Sequence, residues 1–207
     1  MGTGIWRDNW PNCKEYRYSV PEIMLYLAIE ASMSDNIMQI YPQDTEQDAA
    51  QYTFDIVCTH CREQHSSSVS MNRFEKTDMP GSRGEASFVM RCKFCGSDCS
   101  VNISSFEQYL YNPAEADPEL IQKTKDVRKK NGIRNVPLES CVLLSLDCRG
   151  CEVKQFHPEN LTFNAELTSG KRMSFELEDG REWYDYDDDS NEEVTVTDFR
   201  GTIIKGK

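Results

Sequence analysis

Two complete C-x-x-C pairs stand in the first half of the chain, CTHC (Cys58, Cys61) and CKFC (Cys92, Cys95). A C-x-x-C turn places two sulfurs within bite distance of one ion, and two such turns from separate hairpins close a tetrahedral site. Thirty residues separate the pairs, longer than in a finger and sufficient for a β-excursion that returns to its start. Gly96 follows the second pair, where the backbone must curl toward sulfur. Cys58, Cys61, Cys92 and Cys95 are therefore the expected ligands of one structural zinc. Arg62 and Lys93 stand beside them to temper a dianionic four-thiolate centre. Four thiolates leave no open position, which disfavours zinc hydrolysis.

A third pair, Cys148 and Cys151 in LDCRGCEVKQF, has no partner pair. Three readings compete for it: a half-site, a redox switch, or a relic that is simply a buried turn. A thiol oxidoreductase needs a depressed thiol pKa. Arg149 favours one, but the β-rich surroundings and Asp147 oppose it. His60 is expected to face solvent, and His65 is a spare to the thiolates. Cys99 reads as a strand residue, and Cys13 and Cys141 as isolated cysteines.

The cysteine chemistry depends on compartment. No apolar run approaches the ~20 residues needed to span a membrane, and the N-terminus shows no secretory plan. The expected location is the cytosol or nucleus, where thiols stay reduced and C-x-x-C pairs point to metal. Nine cysteines, an odd number, also fit a disulfide framework poorly. The net charge of −12 excludes a sequence-blind nucleic-acid binder. From Glu176 to Glu193 there are ten acids and one base, which supplies three quarters of the imbalance.

Along the chain, residues 1–22 read as an N-terminal extension. LYLAIEASM reads as a strand, with helix as the alternative. YTFDIVC alternates and runs as a strand into CTHC; EASFVMRC delivers CKFC; CSVNISSF follows. The first β half spans 23–110. Residues 111–140 form a proline-bearing linker, with six bases against one acid from Lys123 to Arg134 and room for a short helix. The second β half, 141–207, opens with ESCVLLSLDC. In RMSFELED, Met173, Phe175 and Leu177 face one way and the polar residues the other. DYDDDSNEE (Asp185–Glu193) reads as a solvated acidic loop without the glycine and glutamate spacing of a calcium loop.

The halves suggest an internal duplication. Laying Cys58 on Cys148 aligns Phe88 with Phe175 after a small deletion, and then Cys92 falls on Asp179 and Cys95 on Glu182. The fold class expected is all-β, two pseudo-symmetric barrel or sandwich halves with zinc in the first.

The order LYLAIEA, CTHC, SRGEASFVMRCKFC, YNPAEAD, LDCRGCEVKQFHP and REWYDYDD resembles the eukaryotic CXXC motif containing zinc binding protein family over about residues 25–199. The resemblance implies two pseudo-symmetric β-barrel halves, one zinc on Cys58, Cys61, Cys92 and Cys95, and no enzymatic activity. The extension and the basic linker lie outside the pattern, and Cys151 stands where it expects an apolar residue. The expected function is a non-enzymatic, zinc-stabilised monomer that binds a protein partner, neither nucleic acid nor membrane. The alternative is a metal-handling protein passing zinc or copper onward, and less favoured is a thiol oxidoreductase on Cys148 and Cys151.

Overall fold

The computed structural model describes residues 22–81, 83–114, 117–134 and 136–206. The expectations for Cys13 and for the extension fall outside them. Among the described residues the chain is mostly β, 52% strand with one short helix, and its sheet curls as a half-barrel. In chain order the strands are β1 (Glu22–Met33), β2 (Ile37–Pro42), β3 (Tyr52–Cys58), β4 (Val69–Met71), β5 (Thr77–Asp78), β6 (Glu85–Ala86), β7 (Phe88–Arg91), β8 (Asp98–Ser105) and β9 (Leu110–Tyr111). Helix α1 (Pro118–Lys130) follows. Then come β10 (Cys141–Arg149), β11 (Cys151–His157), β12 (Thr162–Leu167), β13 (Arg172–Glu176), β14 (Trp183–Asp187) and β15 (Glu192–Lys205).

The largest sheet runs β14-β15-β1-β10-β8-β7. A three-stranded sheet, β11-β3-β4, and a four-stranded one, β13-β12-β2-β9, complete the layers, with β5 and β6 as a small ribbon. Every strand pairing among the described residues is antiparallel.

Strand β1 explains why LYLAI was ambiguous. Leu25, Leu27 and Ile29 enter the main core. Tyr26 and Ala28 on the other face, with Val142 of β10 beside them, are covered by Ile133, and Phe106 and Val136 pack against the cluster. A strand covered on both faces reads as an unbroken apolar run, and periodicity cannot separate that from a buried helix segment. β3 has one face in the core, so it alternates strictly.

The duplication register expected from sequence is not the arrangement seen. β3, which carries Cys58, lies inside the three-stranded sheet, whereas β10, which carries Cys148, lies at the centre of the six-stranded one. Phe88 is on edge strand β7 of one sheet and Phe175 on edge strand β13 of another. These elements do not occupy matching places, so neither Asp179 nor Glu182 takes the place of a metal-pair cysteine. The short Ser-Phe match carried that alignment; neighbouring strands did not.

The linker holds α1. Asp117 caps it, accepting the Glu119 amide at 2.9 Å, and Pro118 opens it. Its basic residues do not all face water. Arg128 is buried and holds Glu107 through two nitrogens, at 2.7 and 2.8 Å, with a third bond to Pro137 O at 2.8 Å. Glu107 also accepts the Val142 amide, so this pair ties the helix to β10. Arg128→Met leaves the half-buried Glu107 carboxylate without its guanidinium and should cost about 2–3 kcal/mol. Urea unfolding tests this; a loss below about 1 kcal/mol would mean that the pair is not what holds the helix.

Candidate metal centre

The two C-x-x-C turns are built alike. In the first, the Cys58 amide donates to Glu63 O at 3.0 Å and the Arg62 amide to Cys58 O at 2.9 Å. In the second, the Cys92 amide donates to Ser97 O at 2.8 Å and the Gly96 amide to Cys92 O at 2.9 Å. Both turns close through a left-handed residue, Arg62 at φ 65° and Gly96 at φ 75°. That conformation is open to glycine and costs other residues roughly 1–2 kcal/mol. Gly96→Ala should therefore lose about 1–2 kcal/mol, read as a shift in the urea midpoint of the metal-loaded chain. An unchanged midpoint would show that the turn relaxes.

β3 carries the first turn and the β7–β8 hairpin the second. Together they bring the four sulfurs within 4.8 Å of one another. Cys58 Sγ lies 3.7 Å from Cys95 Sγ, and Cys61 Sγ lies 3.6 Å from Cys92 Sγ. Four sulfurs at ~2.3 Å from a tetrahedral ion sit about 3.8 Å apart. The observed separations match that edge and are far too long for disulfides, and all four cysteines are free. The donor set fits a soft tetrahedral cation. Among the described residues no other His, Cys, Asp or Glu group of three or more converges in this way.

The sulfurs differ in their surroundings. Cys58 and Cys92 are buried, Cys61 is half-buried and Cys95 is exposed. Burial pushes the Cys58 thiol up. The Ser97 hydroxyl, 3.3 Å from Cys95 Sγ, and the Ser97 amide pull Cys95 down to about 6. Cys95 is the most accessible of the four sulfurs. Arg91 Nε donates to Gly96 O at 2.8 Å and braces the second turn. Arg62 lies 3.8 Å from buried Glu152, which Lys154 and Lys205 also reach, so its charge is drawn partly away from the sulfurs.

The other candidates are elsewhere. His60 is exposed, and His65 turns its Nδ1 to Ser67 O at 2.7 Å. Cys99 and Cys141 are buried. Cys148 and Cys151 are both 0% exposed, and burial carries the Cys148 thiol up to about 12. Their turn packs behind the first metal turn: Gly150 O accepts the Thr59 amide at 3.0 Å and the Cys99 thiol at 3.2 Å. The Cys151 thiol donates to Ser100 O at 3.5 Å. The acidic stretch departs from its reading as a solvated loop: Trp183–Asp187 is strand β14, and Asp187 is 1% exposed. A cleft of about 80 Å³ beside the metal turns, lined in part by Met90, His65 and Phe94, is small for a substrate. A cavity of about 380 Å³ lies away from the sulfurs between α1 and Tyr109, Tyr111 and Leu138.

The profile of one family, described as CXXC motif containing zinc binding protein, eukaryotic, matches residues 26–204. The chain belongs to that family. Among CXXC motif containing zinc binding proteins and their relatives, it is similar to UPF0587 protein YCR090C of Saccharomyces cerevisiae. The identity is 49% over 184 residues, 88% of this chain and 99% of that protein. The CXXC motif containing zinc binding protein of Xenopus laevis is 24% identical over 180 residues, 86% of this chain and 96% of that one. The crystal structure of C1orf123 superposes with a TM-score of 0.66 at 20% identity, over 88% of this chain and 99% of that one, which establishes a shared fold. The family name and the four-cysteine cluster together imply zinc binding.

Proposed function

We propose that the chain is a non-enzymatic zinc protein, with one structural ion held by Cys58, Cys61, Cys92 and Cys95. The observation that carries this reading is the convergence of the four sulfurs within 4.8 Å of one another, with two separations across the turns, 3.6 and 3.7 Å, at the edge length of a tetrahedral thiolate shell. The ion supplies cross-linking: it would join the end of β3 to the β7–β8 hairpin, and four thiolates would fill its coordination. The closed donor set and the small adjoining cleft support a role without turnover. A protein partner is the expected ligand of the β-rich module. Phe94, 65% exposed between Cys92 and Cys95, gives a rigid aromatic contact at the metal turns. A reducing compartment, cytosol or nucleus, fits eight free cysteines among the described residues.

Exposed Cys95 favours a second reading, in which the ion is passed on. Thiolate exchange begins at the most accessible sulfur, and a soft four-sulfur set accepts zinc or copper. The two readings separate on exchange with a chromogenic chelator. A structural ion leaves over hours, only as the protein unfolds; an ion in transit leaves within seconds from the native fold. The thiol-oxidoreductase reading finds no support in a Cys148 thiol that is fully buried and carried up to about 12.

A further inference from the structure

The strand order of the six-stranded sheet is its own mirror in sequence terms. Exchange β1 with β10, β15 with β8 and β14 with β7, and β14-β15-β1-β10-β8-β7 reads the same from its other end. Extend the exchange to β2 with β11, β3 with β12 and β4 with β13. The sheet β11-β3-β4 then becomes β2-β12-β13, three of the four strands of the remaining sheet. Backbone bonds fix the residue register. The Thr59 amide donates to Gly150 O at 3.0 Å, and the Thr168 amide donates to Asn36 O at 2.9 Å. In that register Phe54 falls on Phe163, both 0% exposed.

The metal turns can now be followed into the second half. The first falls on the turn 167–171. There the Leu167 amide donates to Lys171 O at 2.9 Å, as Cys58 does to Glu63, and the Gly170 amide donates to Leu167 O at 2.9 Å, as Arg62 does to Cys58. Gly170 is left-handed, φ 84°, like Arg62. This turn is one residue shorter, and no cysteine remains. The second metal turn falls on 187–192 with no change of length. The Asn191 amide donates to Asp187 O at 2.8 Å, and Asn191 has φ 57°, as Gly96 has 75°. Cys92 therefore falls on Asp187 and Cys95 on Ser190.

We propose that these two turns are the second half's copy of the metal centre, and that the Lys171 ammonium takes the place of the metal cation. Lys171 Nζ, from one turn, lies 2.7 Å from Asp187 Oδ1 and 3.6 Å from Asp189 Oδ2 on the other. The Asp187 carboxylate is closed in further by the Ser190 hydroxyl at 3.0 Å, the Ser169 hydroxyl at 3.4 Å and the Asp189 amide at 3.1 Å. A cation still joins the two turns, but the chain carries it. A charge-assisted bond to a buried carboxylate is the kind of bond that can hold two turns together without an ion from solution. The second half thus closes without metal, while its backbone remains that of a metal turn.

Two experiments on the full-length chain test this independently of which ion the first half binds. The first is amide exchange on the metal-loaded chain with K171M. Exchange in 167–171 and 187–192 should rise together by about tenfold or more, with the turns at Cys58 and Cys92 unchanged. Acceleration confined to 167–171 would overturn the clamp. The second replaces 167–171 with the six-residue segment 58–63 and adds D187C, S190C and N191G. Cobalt(II) titration should then show two tetrahedral thiolate centres per chain, by absorbance. One centre per chain, with the grafted turns protected from exchange, would overturn the equivalence of the turns. A graft that does not fold leaves the decision to K171M.

Discussion

Cys92→Ser is expected to release the metal and loosen the first half of the protein. Cys92 is buried and faces Cys61 at 3.6 Å, so its loss removes one ligand from the protected side of the centre. Three thiolates and a hydroxyl hold zinc far less well, and the two turns then lose the bond that joins them. Structural zinc contributes ~10–16 kcal/mol of apparent binding energy in finger peptides. A chain with its own core should lose part of that, on the order of 5 kcal/mol. Amide exchange should rise in β3, β7 and β8 and stay low in β12 and β13, which lie outside the metal turns. Cys151→Ala is the matched control: a buried thiol lost from the neighbouring strand, with metal content unchanged. Equal metal loss in both variants would place the ion elsewhere.

Gly150→Ala should be the most damaging change outside the metal ligands. Gly150 sits at φ 70°, and a Cβ there would lie 2.3 Å from Asp98 O, with the Asp98 carbonyl carbon at 3.3 Å. The obstacle is backbone, on the strand that follows the second metal turn, so no side chain can swing away. Left-handed strain adds roughly 1–2 kcal/mol to the displacement, and the total should reach about 4 kcal/mol. Because Gly150 O also accepts the Thr59 amide and the Cys99 thiol, the shift should be felt in the first metal turn as faster metal loss to a chelator. A urea midpoint within error of the parent would show that β8 moves freely against this turn, contrary to the contacts seen.

The sequence disclosed the metal turns because their chemistry is local. C-x-x-C spacing, a following glycine and a β run into the first cysteine are all read within ten residues, and the structure brings those four sulfurs together. β3 was legible because one face alone is buried. β1 was less so, because residues 133 and 136 cover its second face and erase the alternation. β2 and β12 escaped notice: their pairing with each other joins residues more than 120 apart, and neither carries a distinctive motif. Asp187 was misjudged for a related reason. It lies in a run of acids whose composition says solvent, yet the side chain alternation of β14 turns it inward to a lysine sixteen residues earlier. Arg128 likewise hid in a basic run. The register laid over the two halves went astray because a Ser-Phe pair carried it, and the strands that hold Phe88 and Phe175 lie in different sheets with different neighbours.

Four thiolates from two turns are proposed to hold one metal ion. Zinc K-edge X-ray absorption on the purified, reduced chain, with the metal content of the same sample, tests it most directly. The account predicts one zinc per chain in a shell of four sulfurs at ~2.3 Å with no lighter scatterer. A shell containing nitrogen or oxygen, or a chain that folds fully with no metal at all, would contradict it.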